Sequence, residues 1–191
     1  KESFTDEYWA PVDTRTNVST PTSGGSSYSL SAGSAGFALV DTYPVYSSLS
    51  VGTPVSTCKF VFSATAGGGD VNLGEIKFHD SDGVDEGLVT DATNPGGLNS
   101  NSYAPDRVHD GYLNSNCWND NNAATEGTTS TLLLNFSSAV SLAAYDLFSG
   151  NDNSNCPTSG YPTSWALYCK ESFTDEYWAP MDTRTNVSTP T

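Results

Sequence analysis

The chain has 191 residues, 12% of them aromatic, and its 22 acidic and 7 basic side chains give a formal net charge of −15. This charge disfavours binding to nucleic acid or to an anionic membrane, because their phosphate groups would be repelled. The length suits one well-packed domain with an additional arm, and no segment has the roughly 18 apolar residues needed for membrane insertion.

The first 22 residues recur almost unchanged at the end of the chain. Residues 1–22 and 170–191 differ only where Val12 is replaced by Met181, and the offset from Lys1 to Lys170 is 169 residues. This offset is close to the size of one domain. Since a domain has one position for a given strand, we predict that one copy fills a position in a neighbouring unit. An artificial duplication is the alternative, and the Val12 difference argues mildly against it.

The chain divides into three parts on this basis. Residues 1–22 form a repeat segment shared with or donated to a neighbouring unit, 23–57 a linker and leading strand, and 58–191 a β-sandwich ending in the second copy. Residues 19–27 (STPTSGGSS) suit either O-linked glycans or a flexible joint. The chain starts at Lys1 without a signal peptide, so we expect a mature or internal segment of a longer protein.

Five segments alternate apolar and polar residues with the two-residue period of a β-strand. They are residues 59–64, 72–79, 131–136, 143–148 and 164–169. The glycines at 67–69 predict a hairpin turn between the first two segments. Two long stretches rich in Asn, Asp and Gly, together with the absence of a sustained helical period, indicate an all-β sandwich or jelly roll.

Four cysteines (Cys58, Cys117, Cys156 and Cys169) form neither a CxxC pair nor a zinc-type spacing with histidine. Two disulfides in an oxidising compartment are therefore expected, and three pairings are possible. We favour Cys117 with Cys156, because both follow Asn-rich stretches, and Cys58 with Cys169, because both lie in strand-like segments.

Three sequons for N-linked glycosylation occur, at Asn17, Asn135 and Asn186. The first and third are the same site in the two repeat copies. Together with the expected disulfides, they predict an extracellular or cell-surface protein carrying N-linked and O-linked glycans.

Catalysis has little support in the sequence. The only histidines are His79 and His109, and no nucleophile elbow, zinc-protease motif or phosphate-binding loop is present. We expect His79 to be an edge residue at a strand end, His109 to lie in a loop, and the protein not to be an enzyme.

Several short phrases stand in a characteristic order. They are VNLGEIKF at 71–78, Asp110-Gly111 before Cys117-Trp118, LLLNF at 132–136, AAYDLF at 143–148, PTSWAL at 162–167, Glu171-Ser172, Trp178 and Asp182-Thr183-Arg184. In this order they resemble the discoidin, or coagulation-factor type C, family. The resemblance spans residues 58–186 and implies a galactose-binding-like jelly-roll β-sandwich. It departs from the family at 171–176, where a Ser-Asn-Asp-Gly turn is usual, and in a longer loop after Asp110.

The family resemblance also implies a structural Ca²⁺ near the Asp-Gly loop. Asp110 and Glu75 would supply carboxylates, carbonyl groups around Arg107 and Tyr112 would add oxygens, and Asn116 would complete the shell. Ca²⁺ takes six to eight oxygen ligands, which a loop of this composition can offer. The alternative is that Asp110 only caps a turn.

Aromatic residues in the same loops suggest a carbohydrate surface. Trp118, Tyr112 and Tyr161 could stack on sugar rings. The alternative is that they pack in the core or the loops, which holds more strongly for Trp118 and Trp165.

The family's last sheet strand follows its Leu-Asp-x-Arg phrase at some distance. Only residues 185–191 follow Arg184, whereas Arg15 is followed by a linker and then by residues 58–62, which are similar to that strand. The chain therefore resembles one period of a continuous array with an exchanged terminal segment.

Two hypotheses result. The first is a structural subunit of an extracellular glycosylated filament or stalk, whose partners are copies of itself joined head to tail, with Trp9 or Trp178 buried by strand donation. The second is a Ca²⁺-assisted carbohydrate-binding module or adhesin.

Overall fold

The computed structural model describes most of the chain beyond its first 38 residues. The described residues are 39–44, 53–80, 83–85, 87–97, 101–112, 117–121, 129–149, 156–172 and 177–188. Outside them lie the first repeat copy with Trp9 and Asn17, the linker at 19–27, and Asn116. The described residues form antiparallel β-sheets, which confirms the all-β prediction.

The larger sheet has five antiparallel strands in the order β11–β10–β2–β8–β6. These strands are β2 (Val55–Thr65), β6 (Val89–Thr93), β8 (Ser130–Val140), β10 (Pro162–Lys170) and β11 (Ala179–Arg184). β2 is the central strand, and it contains residues 58–62. Its inward residues Phe60 and Phe62 are fully buried, in step with the predicted alternation.

The second sheet has four strands in the order β1–β9–β4–β5, and two short strands pair beside it. The four are β1 (Leu39–Pro44), β4 (Glu75–Asp80), β5 (Gly83–Asp85) and β9 (Leu142–Phe148). The short pair is β3 (Val71–Leu73) with β7 (Trp118–Asp120).

The core lies between the two sheets and is dominated by aromatic rings. The ring of Phe60 in β2 lies 5.2 Å from that of Tyr145 in β9, and Phe78 in β4 lies 5.0 Å from Phe136 in β8. Both pairs are edge-on, the arrangement that the charge distribution of aromatic rings favours. Each fully buried ring contributes on the order of 2 kcal/mol from the area removed from water, so these contacts hold the sheets face to face.

The glycine turn at 67–69 does not form the predicted hairpin. β2 belongs to the larger sheet and β4 to the smaller, so the chain crosses from one sheet to the other. Gly67 donates its N–H to the carbonyl of Ser159 at 2.7 Å, and a Cβ at Gly67 would come within 2.8 Å of Ser159 Cβ. Glycine is used here for a close approach to the loop before β10.

The two disulfides are those favoured from the sequence. Cys58 and Cys169 are bonded across directly paired positions of β2 and β10. Cys117, next to β7, is bonded to Cys156 in the loop before β10. Two disulfides are compatible with an extracellular location.

The second repeat copy supplies β11, at one edge of the five-stranded sheet. It pairs antiparallel with β10, from Trp165 opposite Arg184 to Cys169 opposite Ala179. Of the two copies, the second therefore closes the sheet of its own domain.

Helical structure among the described residues consists of three 3-10 helices, at Asn101–Tyr103, Pro105–Val108 and Thr158–Gly160. No helix in this part of the chain is long and apolar enough to cross a membrane.

Candidate functional site

A hydrogen-bonded network inside the domain holds the closing strand β11. Asp182 Oδ2 accepts a hydrogen bond from the hydroxyl of Tyr145 at 2.7 Å and another from Arg184 Nε at 2.8 Å. The Tyr145 hydroxyl in turn accepts a hydrogen bond from Trp165 Nε1 at 2.7 Å. Because Tyr145 lies in β9 and Trp165 in β10, the network ties β11 to both sheets.

Electrostatics fix the protonation states in this network. Burial raises the pKa of Tyr145 well above its ordinary value of 10.0, and the negative charge of Asp182 raises it further. Burial alone would lower the pKa of Arg184, but its hydrogen bond to Asp182 and the charge of that carboxylate outweigh burial and raise it. Tyr145 therefore remains a neutral donor and Arg184 a cation.

Apolar contacts also hold β11 against the rest of the domain. Ala179 and Met181 point into the domain and are almost fully buried, whereas Pro180 between them is exposed. A proline on an edge strand removes one backbone donor, which discourages further pairing at that edge. Beyond the strand, Val187 packs against the core and donates its N–H to the carbonyl of Thr163 at 2.9 Å.

The first repeat copy carries the same side chains in the same order. Ala10, Asp13 and Arg15 correspond to Ala179, Asp182 and Arg184. Val12 stands where β11 has the buried Met181, an apolar exchange that keeps the inward position apolar.

Trp178 lies on the outer surface of the five-stranded sheet, next to two lysines. Lys59 Nζ is 4.5 Å and Lys170 Nζ is 4.9 Å from the centre of the Trp178 ring, and Lys59 also lies over the Tyr168 ring at 5.3 Å. These are cation–π distances. Burial lowers the pKa of Lys59, and the charge of Lys170 lowers it further. Trp178, predicted to be buried in a neighbouring unit, is half-buried within its own domain.

A cavity of about 220 Å³ is lined by two of the residues predicted to bind metal. Glu75, at the start of β4, and Asp110 both line it, along with Lys77 and His109. The rest of the lining is mainly apolar and includes Leu88. Glu75 and Asp110 thus line the same cavity, and their joint role as ligands stays a prediction.

The hydrogen bonds of Asp110 match the turn-capping alternative. Its Oδ1 accepts the N–H of Tyr112 at 2.9 Å, and its Oδ2 accepts a hydrogen bond from Arg107 at 3.2 Å. The guanidinium group places positive charge where a cation would bind. No group of three or more His, Cys, Asp or Glu residues suited to a metal occurs within the described ranges.

The three aromatic residues predicted to bind sugar differ in exposure. Trp118 is 0% and Tyr161 is 1% exposed, so their rings are core residues and the prediction of a sugar-stacking role for them is wrong. The Trp118 ring packs 5.8 Å from that of Phe62, because β7 turns this side chain inward. Tyr112 is 66% exposed and directly follows Asp110-Gly111 of the cavity wall.

A histidine–carboxylate pair is a feature that sequence reasoning missed. His79 lies in β4 between two neighbouring strands, and its Nε2 is 2.8 Å from Asp146 Oδ2 on the adjacent strand β9. His79 is therefore not the edge residue expected from the sequence. The signal was available in the outward positions of two strand-like segments, but their register could not be read from the sequence.

Comparison with known proteins identifies no relative: no protein-family model, curated protein or solved structure matches the chain.

Proposed function

We propose that this protein is a non-enzymatic structural subunit of an extracellular, glycosylated filament or surface stalk, whose units join head to tail through their closing segments. In this proposal the fold is a galactose-binding-like jelly roll whose terminal segment can be exchanged between units. The observation that carries the proposal is that the second repeat copy forms the closing strand β11, anchored by the Asp182–Tyr145 hydrogen bond.

The chain has two copies of the segment that pairs with β10, but one position for it, and this supports assembly. The chain contains two nearly identical segments, and β11 occupies the edge position on β10. Since each unit's second copy fills this position in its own domain, the first copy can take the equivalent position in a neighbouring unit only by exchange with that unit's second copy. A head-to-tail contact that does not close on itself produces a filament.

The chemistry of the first copy supports the same conclusion. Asp13 and Arg15 can reproduce the bonds of Asp182 and Arg184, and Val12 is smaller than Met181. A loss of buried methylene groups of this size costs about 1 kcal/mol. The two copies are therefore close in affinity for the position, and the covalent connection favours whichever copy is nearer.

Matched double variants in the full chain test this proposal. Asp182→Ala with Arg184→Ala leaves the buried Tyr145 hydroxyl without its acceptor, which weakens the second copy by about 1–3 kcal/mol. The first copy of another chain then competes for the position, so light scattering should show a larger share of oligomers than for the unaltered chain. Asp13→Ala with Arg15→Ala makes the same chemical change in the first copy and should give monomers.

Two outcomes would contradict the proposal. A variant with all four substitutions, in both copies, serves as the reference. In the first outcome, the Asp182→Ala, Arg184→Ala variant is monomeric and as unstable as this reference, which would mean that the first copy cannot pair with β10. In the second, it stays monomeric at full stability, so the first copy folds back onto its own unit.

One observation favours a second candidate function, that of a carbohydrate-binding module. Tyr112 is exposed beside the cavity that contains Glu75 and Asp110, an arrangement of a stacking ring next to hydrogen-bond acceptors that suits sugar hydroxyl groups. Ca²⁺ assistance belongs to this candidate, with Asp110 freed from Arg107 when the ion binds.

Glycan-array binding with a tyrosine control tests the second candidate. Tyr112→Ala removes an aromatic contact worth about 1 kcal/mol, so affinity should fall about fivefold. Tyr177→Ala, which alters another exposed tyrosine, 64% accessible, should leave binding unchanged. Equal effects of both substitutions, or no glycan binding with either Ca²⁺ or EDTA, would contradict this candidate.

A further inference from the structure

We infer that, of the two sequons in the described residues, Asn186 accepts an N-linked oligosaccharide and Asn135 does not. The inference rests on the extracellular location in the proposed function. It does not depend on head-to-tail assembly. Both sites satisfy the same sequence rule, Asn-x-Ser, so only their structural surroundings distinguish them.

Asn186 lies in an exposed turn just beyond β11. Its φ of 54° places it in the left-handed region, which asparagine tolerates better than most residues. The turn is held from both sides, because Asn186 donates its N–H to Ser164 Oγ at 3.2 Å and Val187 donates its N–H to Thr163 at 2.9 Å. Val187 packs on the core while Asn186 and Ser188 are exposed. A glycan can project from this turn without displacing any of these contacts.

Asn135 lies within β8, with a neighbouring strand on each side. Its Oδ1 accepts a hydrogen bond from Thr57 Oγ1 of β2 at 3.2 Å, and its Nδ2 donates to Asp91 Oδ2 of β6 at 2.9 Å. Both partners are also its register partners in the two ladders. The amide nitrogen that would carry a glycan is therefore part of a cross-strand bridge.

Glycan transfer acts on the asparagine Nδ2, which is the atom whose surroundings differ between Asn135 and Asn186. The oligosaccharide is donated by a lipid-diphosphate carrier: a bond forms between the asparagine Nδ2 and the anomeric carbon, and the bond from that carbon to the diphosphate oxygen breaks. The lipid diphosphate leaves, and one amide proton passes to solvent. At Asn186 the amide is accessible for this reaction. A glycan added to Asn135 before folding would replace one of the two Nδ2 hydrogens and crowd the bridge to Asp91, so we expect chains that carry it to fold less well.

Peptide mapping of the full chain secreted from a eukaryotic host tests the inference directly. After the disulfides are reduced and alkylated, trypsin separates the three sequons, because Asn17, Asn135 and Asn186 fall in the peptides 16–59, 108–170 and 185–191. Enzymatic glycan release in ¹⁸O-water converts each glycosylated asparagine to labelled aspartate. We expect label at Asn186 and none at Asn135. Label at Asn135, or its absence at Asn186, would overturn the inference.

Two serine substitutions provide matched variants. Ser188→Ala removes the Asn186 sequon while keeping Asn186 and its turn, so the intact protein should lose the mass of one glycan. Ser137→Ala removes the Asn135 sequon at another exposed serine and should leave the mass of the glycans unchanged. Light scattering of the same samples reports assembly separately. A missing glycan at Asn186 would thus overturn this inference and leave head-to-tail assembly unaffected.

Discussion

At the residue scale, a few side chains hold the closing strand β11 in place, and the local sequence around them does not indicate these roles. Tyr145 occupies an ordinary inward position of a predicted strand, and nothing in its neighbours indicates that it meets Asp182 from the other sheet. The burial of the aromatic residues predicted to lie in loops could not be predicted either, since Trp118 is buried and Tyr112 is exposed. Composition predicts how many aromatic residues a core needs, but which loop residues enter it depends on tertiary packing.

Tyr145 leads to a prediction about alkaline pH. Its pKa is raised in the folded protein, so the folded state favours the neutral hydroxyl. This contribution to stability is fully present below the ordinary tyrosine pKa of 10.0 and is lost as the pH rises through the folded value. Urea unfolding should therefore show stability falling above about pH 10.

The variant Tyr145→Phe isolates this group from the other tyrosines. It removes the hydroxyl bond to Asp182, so it should be about 1–3 kcal/mol less stable at neutral pH. It should also lose less stability than the wild type between neutral and alkaline pH. Parallel pH profiles for the two proteins would show that the Tyr145 hydroxyl does not contribute.

At the element scale, the longer strands were predictable and the connections were not. Alternation over residues 131–136 and 143–148 located β8 and β9. Buried and less buried residues alternate in β8 up to Phe136, whereas β9 is buried on both faces from Tyr145 to Phe148. The strands β3, β5 and β7 have three residues each, too few for a period to be recognised. The turn at 67–69 was misread because glycine serves hairpins and close approaches alike.

The repeat copies are the element for which the sequence was most informative. Near-identity between residues 1–22 and 170–191 predicted that one structural position recurs with a period of about one domain. It could not show which copy fills the position, because both carry the same anchoring residues. The choice depends on chain connectivity, and in the structure the second copy pairs with β10.

At the scale of the whole molecule, the net charge and a disulfide set the conditions for the proposed head-to-tail assembly. A net charge of −15 makes units repel one another, so association must come from specific seating contacts and is favoured by salt. The disulfide between Cys58 and Cys169 links β2 to β10, the strand with which β11 pairs. A strand pair linked in this way lowers the conformational cost of binding a segment from a neighbour.

Electron cryomicroscopy of the native material tests the central claim most directly. We predict filaments with one domain-sized step per unit, in which the segment equivalent to residues 1–22 lies along β10 of the preceding unit. The density should show the arginine and aspartate of that segment against Tyr145. Discrete monomers, or filaments in which this segment contacts only its own unit, would contradict head-to-tail assembly through the closing strand.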